Sequence, residues 1–116
     1  MYNKVEPPNI LYYGAYVDEA SKLEQEGIRP QQEKLVSLTE DIYIAYNEGS
    51  KHGQPVICIV DAKRMHEDGK DFYHYITKWL VDYIPSEYFA QVRIDDVLDL
   101  AFIEHYASDV VHPWGS

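Results

Sequence analysis

Residues 11–15 read "LYYGA", an apolar and β-prone start, two tyrosines, and a glycine that breaks the pattern. With Ile10 and Tyr16 on either side the run predicts a strand over Ile10–Tyr16. The next ten residues change period. In "VDEASKLEQE", Val17, Ala20 and Leu23 fall at helical spacing and Gly27 ends the run, so a short helix with a charged outer face is expected over Val17–Glu26. A strand running straight into a helix at a glycine-bearing turn is either ordinary framework or the start of a nucleotide-binding turn, and the rest of the chain has to decide between them.

Moving outward, residues 1–9 carry Pro7 and Pro8 and read as an extended lead segment. After "GIRPQQ", Lys34–Leu38 alternates as a short strand. Ser37 and Glu40 stand at capping-box spacing with Thr39 as a competing cap, which predicts a helix over Thr39–Asn47. Gly49 and Gly53 bracket the turn "GSKHG". "PVICIV", Pro55–Val60, is the most apolar run and is rich in β-branched residues, as a central strand should be. "DAKRMHEDG" gives a helical turn or two closed by Gly69. Phe72–Ile76 and Lys78–Ile84 read as two aromatic strands stopped by Pro85. Ile94, Val97, Leu98, Ala101, Phe102 and His105 are at helical spacing for a last helix, and 90–116 reads as a C-terminal extension. The order is α+β, with a core expected from Leu11, Val36, Leu38, Ile42, Val56, Ile57, Ile59, Trp79, Leu80 and Phe102.

At 116 residues with 46% hydrophobic composition, the chain fits one globular domain spanning 1–116. No stretch approaches the ~20 apolar residues that cross a bilayer, and "MYNKVEPPN" lacks the order of a signal peptide, so a soluble, cytoplasmic protein is expected. Acidic residues number 20 against 10 Lys plus Arg, a formal net charge of −10. Such a field repels phosphate backbones at long range, making nucleic acid an unlooked-for partner. With 11 tyrosines, an acidic surface of this kind suits a small ligand or a protein partner.

The single cysteine, Cys58, has no disulfide partner and reads as a small buried hydrophobe inside the central strand. Histidines 52, 66, 74, 105 and 112 show no zinc-site spacing, so no metal site is assigned. Neither glycine-rich phosphate-cradling fingerprint is present. The turn "GSKHGQP" is the one place where glycines, Lys51 and His52 converge ahead of the central strand, which suits close approach of an anionic ligand as well as it suits a plain connection.

Seven runs together, "ILYYGA", "EGIRP", "LVSLTED", "GSKHGQPVI", "IVDAKRMHEDG", "FYHY…WL" and "IPSEYF", resemble in order and spacing the catalytic lobe of the RNA 2′-phosphotransferase family. The match runs from about Ile10 to Phe89. The resemblance implies an ADP-ribosyltransferase-like fold: a single α+β domain with a split, mostly antiparallel sheet core and short flanking helices. It also implies NAD⁺ as cofactor, with transfer of an internal RNA 2′-phosphate. The family's His-Gly-Thr turn falls on Tyr13-Gly14-Ala15, the histidine of its Val-His-Leu-Ser strand on Ser37, and two of its arginines on Glu33 and Lys51. The first arginine, from an N-terminal lobe, has no counterpart here.

Carried over residue by residue, the resemblance makes Tyr13, Gly14, Ser37, Thr39, Lys51 and His52 the candidate NAD⁺-contacting set and leaves the catalytic residues unassigned. Gly14 would hold the nicotinamide amide, Ser37 or Thr39 the ribose, and Lys51 the pyrophosphate. No glutamate is placed by sequence to orient the ribose. Two readings follow: an ADP-ribosyltransferase-like protein that binds NAD⁺ or ADP-ribose, acting on an unknown acceptor, or the same fold kept without catalysis as an acidic protein-binding module.

Overall fold

The computed structural model describes residues 3–111. In chain order they form β1 (Asn3–Lys4), β2 (Ile10–Tyr16), α1 (Val17–Glu26), β3 (Val36–Leu38), α2 (Ile42–Ser50), β4 (Pro55–Asp61), α3 (Ala62–Glu67), β5 (Tyr73–Tyr75), β6 (Lys78–Val81), a 3₁₀ turn (Ser86–Tyr88), β7 (Phe89–Arg93) and α4 (Asp99–Val111). The strands make two antiparallel sheets, ordered β1-β5-β6-β3 and β2-β4-β7. The expected α+β class with split antiparallel sheets is therefore what the chain forms.

Strand β4 explains why "PVICIV" is apolar at every position. Its period of two sends Val56, Cys58 and Val60 to one face and Ile57 and Ile59 to the other, and both faces are buried. On the first face lie Leu23 of α1, Met65 of α3 and, from the other sheet, Val36, Leu38, Trp79 and Val81. On the second lie Ile42 and Ala45 of α2 and Leu100 and Ala107 of α4. Each fully buried aliphatic side chain contributes about 1.5–3 kcal/mol, so this central strand anchors both halves of the core.

Helix α2 lies unusually close to β2. A Cβ added to Gly14 would sit 2.0 Å from the Ala45 carbonyl oxygen, and one added to Gly49 would sit 2.2 Å from that of Ala15. Two backbones in direct contact admit only glycine at both points. Gly14 thus breaks the strand pattern for a packing reason.

Several sequence expectations are corrected. Phe102 is not core: it is 66% exposed. Helix α4 begins only at Asp99, and it turns the stripe Leu100, Ile103, Ala107 and Val111 toward the sheet, which leaves Leu98 and Phe102 outside. Helix α2 starts at Ile42, not Thr39, because Asp41 is the cap: its Oδ1 accepts from the Tyr43 N–H at 2.9 Å, while Thr39 Oγ1 accepts from the Asp41 N–H at 3.0 Å. Glu40, assigned to a capping box, instead accepts from Trp79 Nε1 at 2.8 Å.

Strand β7 was not anticipated at all. "FAQVR" has no strong apolar alternation, and it becomes a strand because β4 offers it a free edge, in register from Val60↔Phe89 to Val56↔Arg93. The first aromatic strand is shorter than expected because a tight turn, with Ile76 at φ 58°, returns β5 onto β6, and the second stops at Val81, with Ile84 bridged to Ile28 instead.

Candidate functional site

The two sheets are stitched together at one isolated bridge. The Tyr12 N–H donates to the Thr39 carbonyl at 2.8 Å, and the Thr39 N–H donates to the Tyr12 carbonyl at 3.0 Å. Beyond that point β2 and β3 belong to different sheets, and a cleft of about 520 Å³ lies between them. Tyr13 and Gly14 line it from β2, Ser37 and Leu38 from β3, Ile44 and Glu48 from α2, and Arg29, Gln31 and Glu33 from the loop after α1.

Five of the six residues singled out from sequence meet here: Tyr13, Gly14, Ser37, Thr39 and His52. Alternation along β3 sends the Val36 and Leu38 side chains into the core and leaves Ser37 half-exposed at the cleft. His52 reaches it from the "GSKHG" turn, its ring 5.3 Å from that of Tyr16. Lys51, the sixth, does not line the cleft. Its Nζ lies 3.1 Å from Glu48 Oε1, an exposed pair on α2's last turn.

Burial pushes the Tyr13 hydroxyl up to about 12, with the Glu19 charge adding to the effect. The phenol is therefore a proton-bearing hydrogen-bond donor at any ordinary pH and has no capacity as a base. Cys58, paired with Tyr13 across the β2–β4 ladder, is fully buried and its thiol is pushed far up by burial, so it packs and does not react.

Glu19 is the residue that sequence reading passed over. It is the third residue of α1, whose cap position is Tyr16, and its carboxylate lies beside the Tyr16 backbone N–H and the Gln31 side chain, both of which favour its charged form. That is the position a capping-box glutamate takes. It was hidden because "VDEASKLEQE" is acidic throughout, and only the direction in which β2 delivers the helix points this one carboxylate into the cleft. Partial burial raises its affinity for a proton, against the opposing pull of His52 and Lys22.

Among the described residues no group of three or more His, Cys, Asp or Glu side chains is placed to hold a metal ion, and no helix is long and apolar enough to cross a membrane. His112 lies outside the described residues.

The model of the RNA 2′-phosphotransferase, Tpt1 / KptA family matches residues 1–81. The chain belongs to that family. A probable RNA 2′-phosphotransferase of Hahella chejuensis is 36% identical over 85 residues, 72% of this chain and 46% of the relative. One of Agrobacterium fabrum is 39% identical over 85 residues, with the same shares, and one of Pseudomonas syringae pv. tomato 38% identical over 88, covering 75% of this chain and 47% of the relative. The chain thus spans about half the length of the curated relatives it matches. Every cleft-lining residue falls inside the family-matched stretch, whereas β7 and α4 lie beyond it. The relatives are named for RNA, so the expectation against nucleic acid finds no support in the family; it rested on a charge summed over the whole surface, which says nothing about one cleft.

Proposed function

We propose that the cleft between the two sheets is an NAD⁺ site and that the chain, a single domain of ADP-ribosyltransferase-like fold, is an ADP-ribosyl-transferring lobe of RNA 2′-phosphotransferase type. The observation that supports this most directly is the meeting of Tyr13, Gly14, Ser37, Thr39 and His52 around one cavity of about 520 Å³, within the family-matched stretch. That volume falls in the range of small-molecule sites, about 300–1,000 Å³. Tyr13 supplies an aromatic face and a hydroxyl donor, the Gly14 backbone approaches the nicotinamide amide, and Ser37 and Thr39 bond the ribose. Arg29 and Lys78, which also line the cleft, take the pyrophosphate in place of Lys51.

RNA bearing a 2′-phosphate is the first acceptor to test, since the relatives are named for it. Glu33 favours a second reading, binding without phosphotransfer: it lines the cleft where the resemblance puts a phosphate-holding arginine. Titration calorimetry with NAD⁺ and ADP-ribose, followed by a nicotinamide-release assay with and without 2′-phosphorylated RNA, separates the two. Binding with RNA-dependent release supports transfer, and binding with no release supports the second reading. Silence in both experiments removes the NAD⁺ site altogether.

A further inference from the structure

Glu19, Glu33 and Glu48 line the cleft together with Arg29 and Lys78, and Glu48 is paired with Lys51. The carboxylates Glu19 and Glu33 are an odd match for a dinucleotide if only its phosphates are considered. They are a good match for the one part of NAD⁺ that carries positive charge, the planar pyridinium ring.

Glu19 is the carboxylate best placed to meet that ring. It is half-buried, and it lines the cleft beside Tyr16 and Gln31, whose backbone N–H and side chain favour its charged form. It also lies close enough to Tyr13, on the cleft wall, to be felt by its hydroxyl. The tyrosines Tyr13 and Tyr16 line the same space, so an incoming flat cation would meet aromatic surface together with one fixed negative charge. A held carboxylate needs no reorganisation to receive that cation, and partial burial strengthens the attraction relative to open water.

We propose that Glu19 makes the cleft selective for the charged, oxidised nicotinamide ring, so that NAD⁺ is bound in preference to NADH, whose ring is neutral, and to ADP-ribose, which has no ring. The proposal rests on the NAD⁺ reading of the site and adds to it a residue and a charge rule. Glu19 acts here as a binding and specificity residue, in addition to capping α1.

The test is calorimetric titration of the full chain with NAD⁺, NADH and ADP-ribose at about pH 8, well above the ordinary carboxylate range. Glu19→Gln and Asp18→Asn are titrated alongside. Glutamine at this position preserves the capping acceptor while removing the charge, so the variant keeps its helix start. The parent is expected to bind NAD⁺ about tenfold more tightly than NADH or ADP-ribose, the scale of one partly screened charge pair. Glu19→Gln should lose the preference over NADH with ADP-ribose affinity unchanged, and Asp18→Asn, the same charge change one residue away on an exposed position, should retain it. If the parent binds all three ligands equally, or if Glu19→Gln keeps the preference, the charge rule is wrong while the NAD⁺ site stands. If none of the three binds, both are wrong.

Discussion

Gly14 on β2 and Ala45 on α2 meet backbone to backbone, so that a Cβ on Gly14 would lie 2.0 Å from the Ala45 carbonyl oxygen. This contact sets how far α2 stands from the sheet, and α2 supplies Ile44, Ala45 and Glu48 to the cleft wall. Gly14→Ala should therefore cost about 3 kcal/mol or more in chemical denaturation, at the upper end for overpacking. Gly53→Ala, where the new Cβ would find Tyr16 atoms at an ordinary 3.7 Å, is the matched control and should stay within about 0.5 kcal/mol. Equal effects at the two sites would mean that the close approach is not a constraint.

The face of α4 gives a second test. Leu100→Ala should lose about 2–4 kcal/mol, because Leu100 is fully buried against the three-stranded sheet. Phe102→Ser should change stability by no more than about 0.5 kcal/mol, since that ring is 66% exposed. Thermal melts of the pair decide it, and the reverse order would restore Phe102 to the core.

Tyr13 is expected to act through its hydroxyl as a donor. Tyr13→Phe keeps the ring and the strand, and should weaken NAD⁺ binding roughly fivefold, about 1 kcal/mol for one lost hydrogen bond. With the hydroxyl held up to about 12, the parent's affinity should show no step from Tyr13 titration between neutrality and about pH 10. Such a step, absent in the phenylalanine variant, would contradict the assignment.

Glu33 lines the cleft and is exposed. Glu33→Arg should tighten ADP-ribose binding by about tenfold in low salt, as a repulsive charge near the pyrophosphate becomes an attractive one. The gain should shrink when ionic strength rises from about 0.01 M to about 0.15 M, because an exposed charge is screened. A gain that ignores salt would point to some other cause.

Glu19 carries a stability signature of its own. Its folded-state proton affinity is raised, chiefly by burial. A carboxyl with raised affinity binds more protons folded than unfolded, so its contribution falls as pH climbs from the unfolded value through the folded one. Below that window the cost is absent, and above it the full cost of holding the ionised group is present. Glu19→Gln should accordingly stabilise the fold more at about pH 7 than at about pH 4, and melting curves at the two values check it. A variant that gains more at the acid end would reverse the sign and refute the burial argument.

Much of this architecture is written locally. The strand Ile10–Tyr16 and the helix Val17–Glu26 are readable to the residue, because period and glycine stop coincide there. "PVICIV" announces a strand buried on both faces, and nine of the ten core residues named from sequence are buried, Phe102 being the exception. The family, too, is legible in the order of short runs, each of which alone says little; six of the seven fall inside the matched residues 1–81, and "IPSEYF" lies beyond them.

What sequence could not supply is direction in space. Strand β7 exists because β4 has an open edge, a fact about a partner 30 or so residues away in the chain, as the pairing Ile59↔Ala90 shows. The buried stripe of α4 depends on where its first turn begins, so equally apolar residues trade places between core and solvent. Lys51 is directed to Glu48 and away from the cleft, although its glycine-flanked turn reads as a ligand loop. Glu19 is the converse case: one acid among many in a charged helix, brought into the cleft beside Gln31 by the strand that precedes it. Hydrophobic period sets most of the elements, β7 excepted; which side chains meet in the cleft follows from how close two backbones can pack, and at Gly14 and Ala45 they touch.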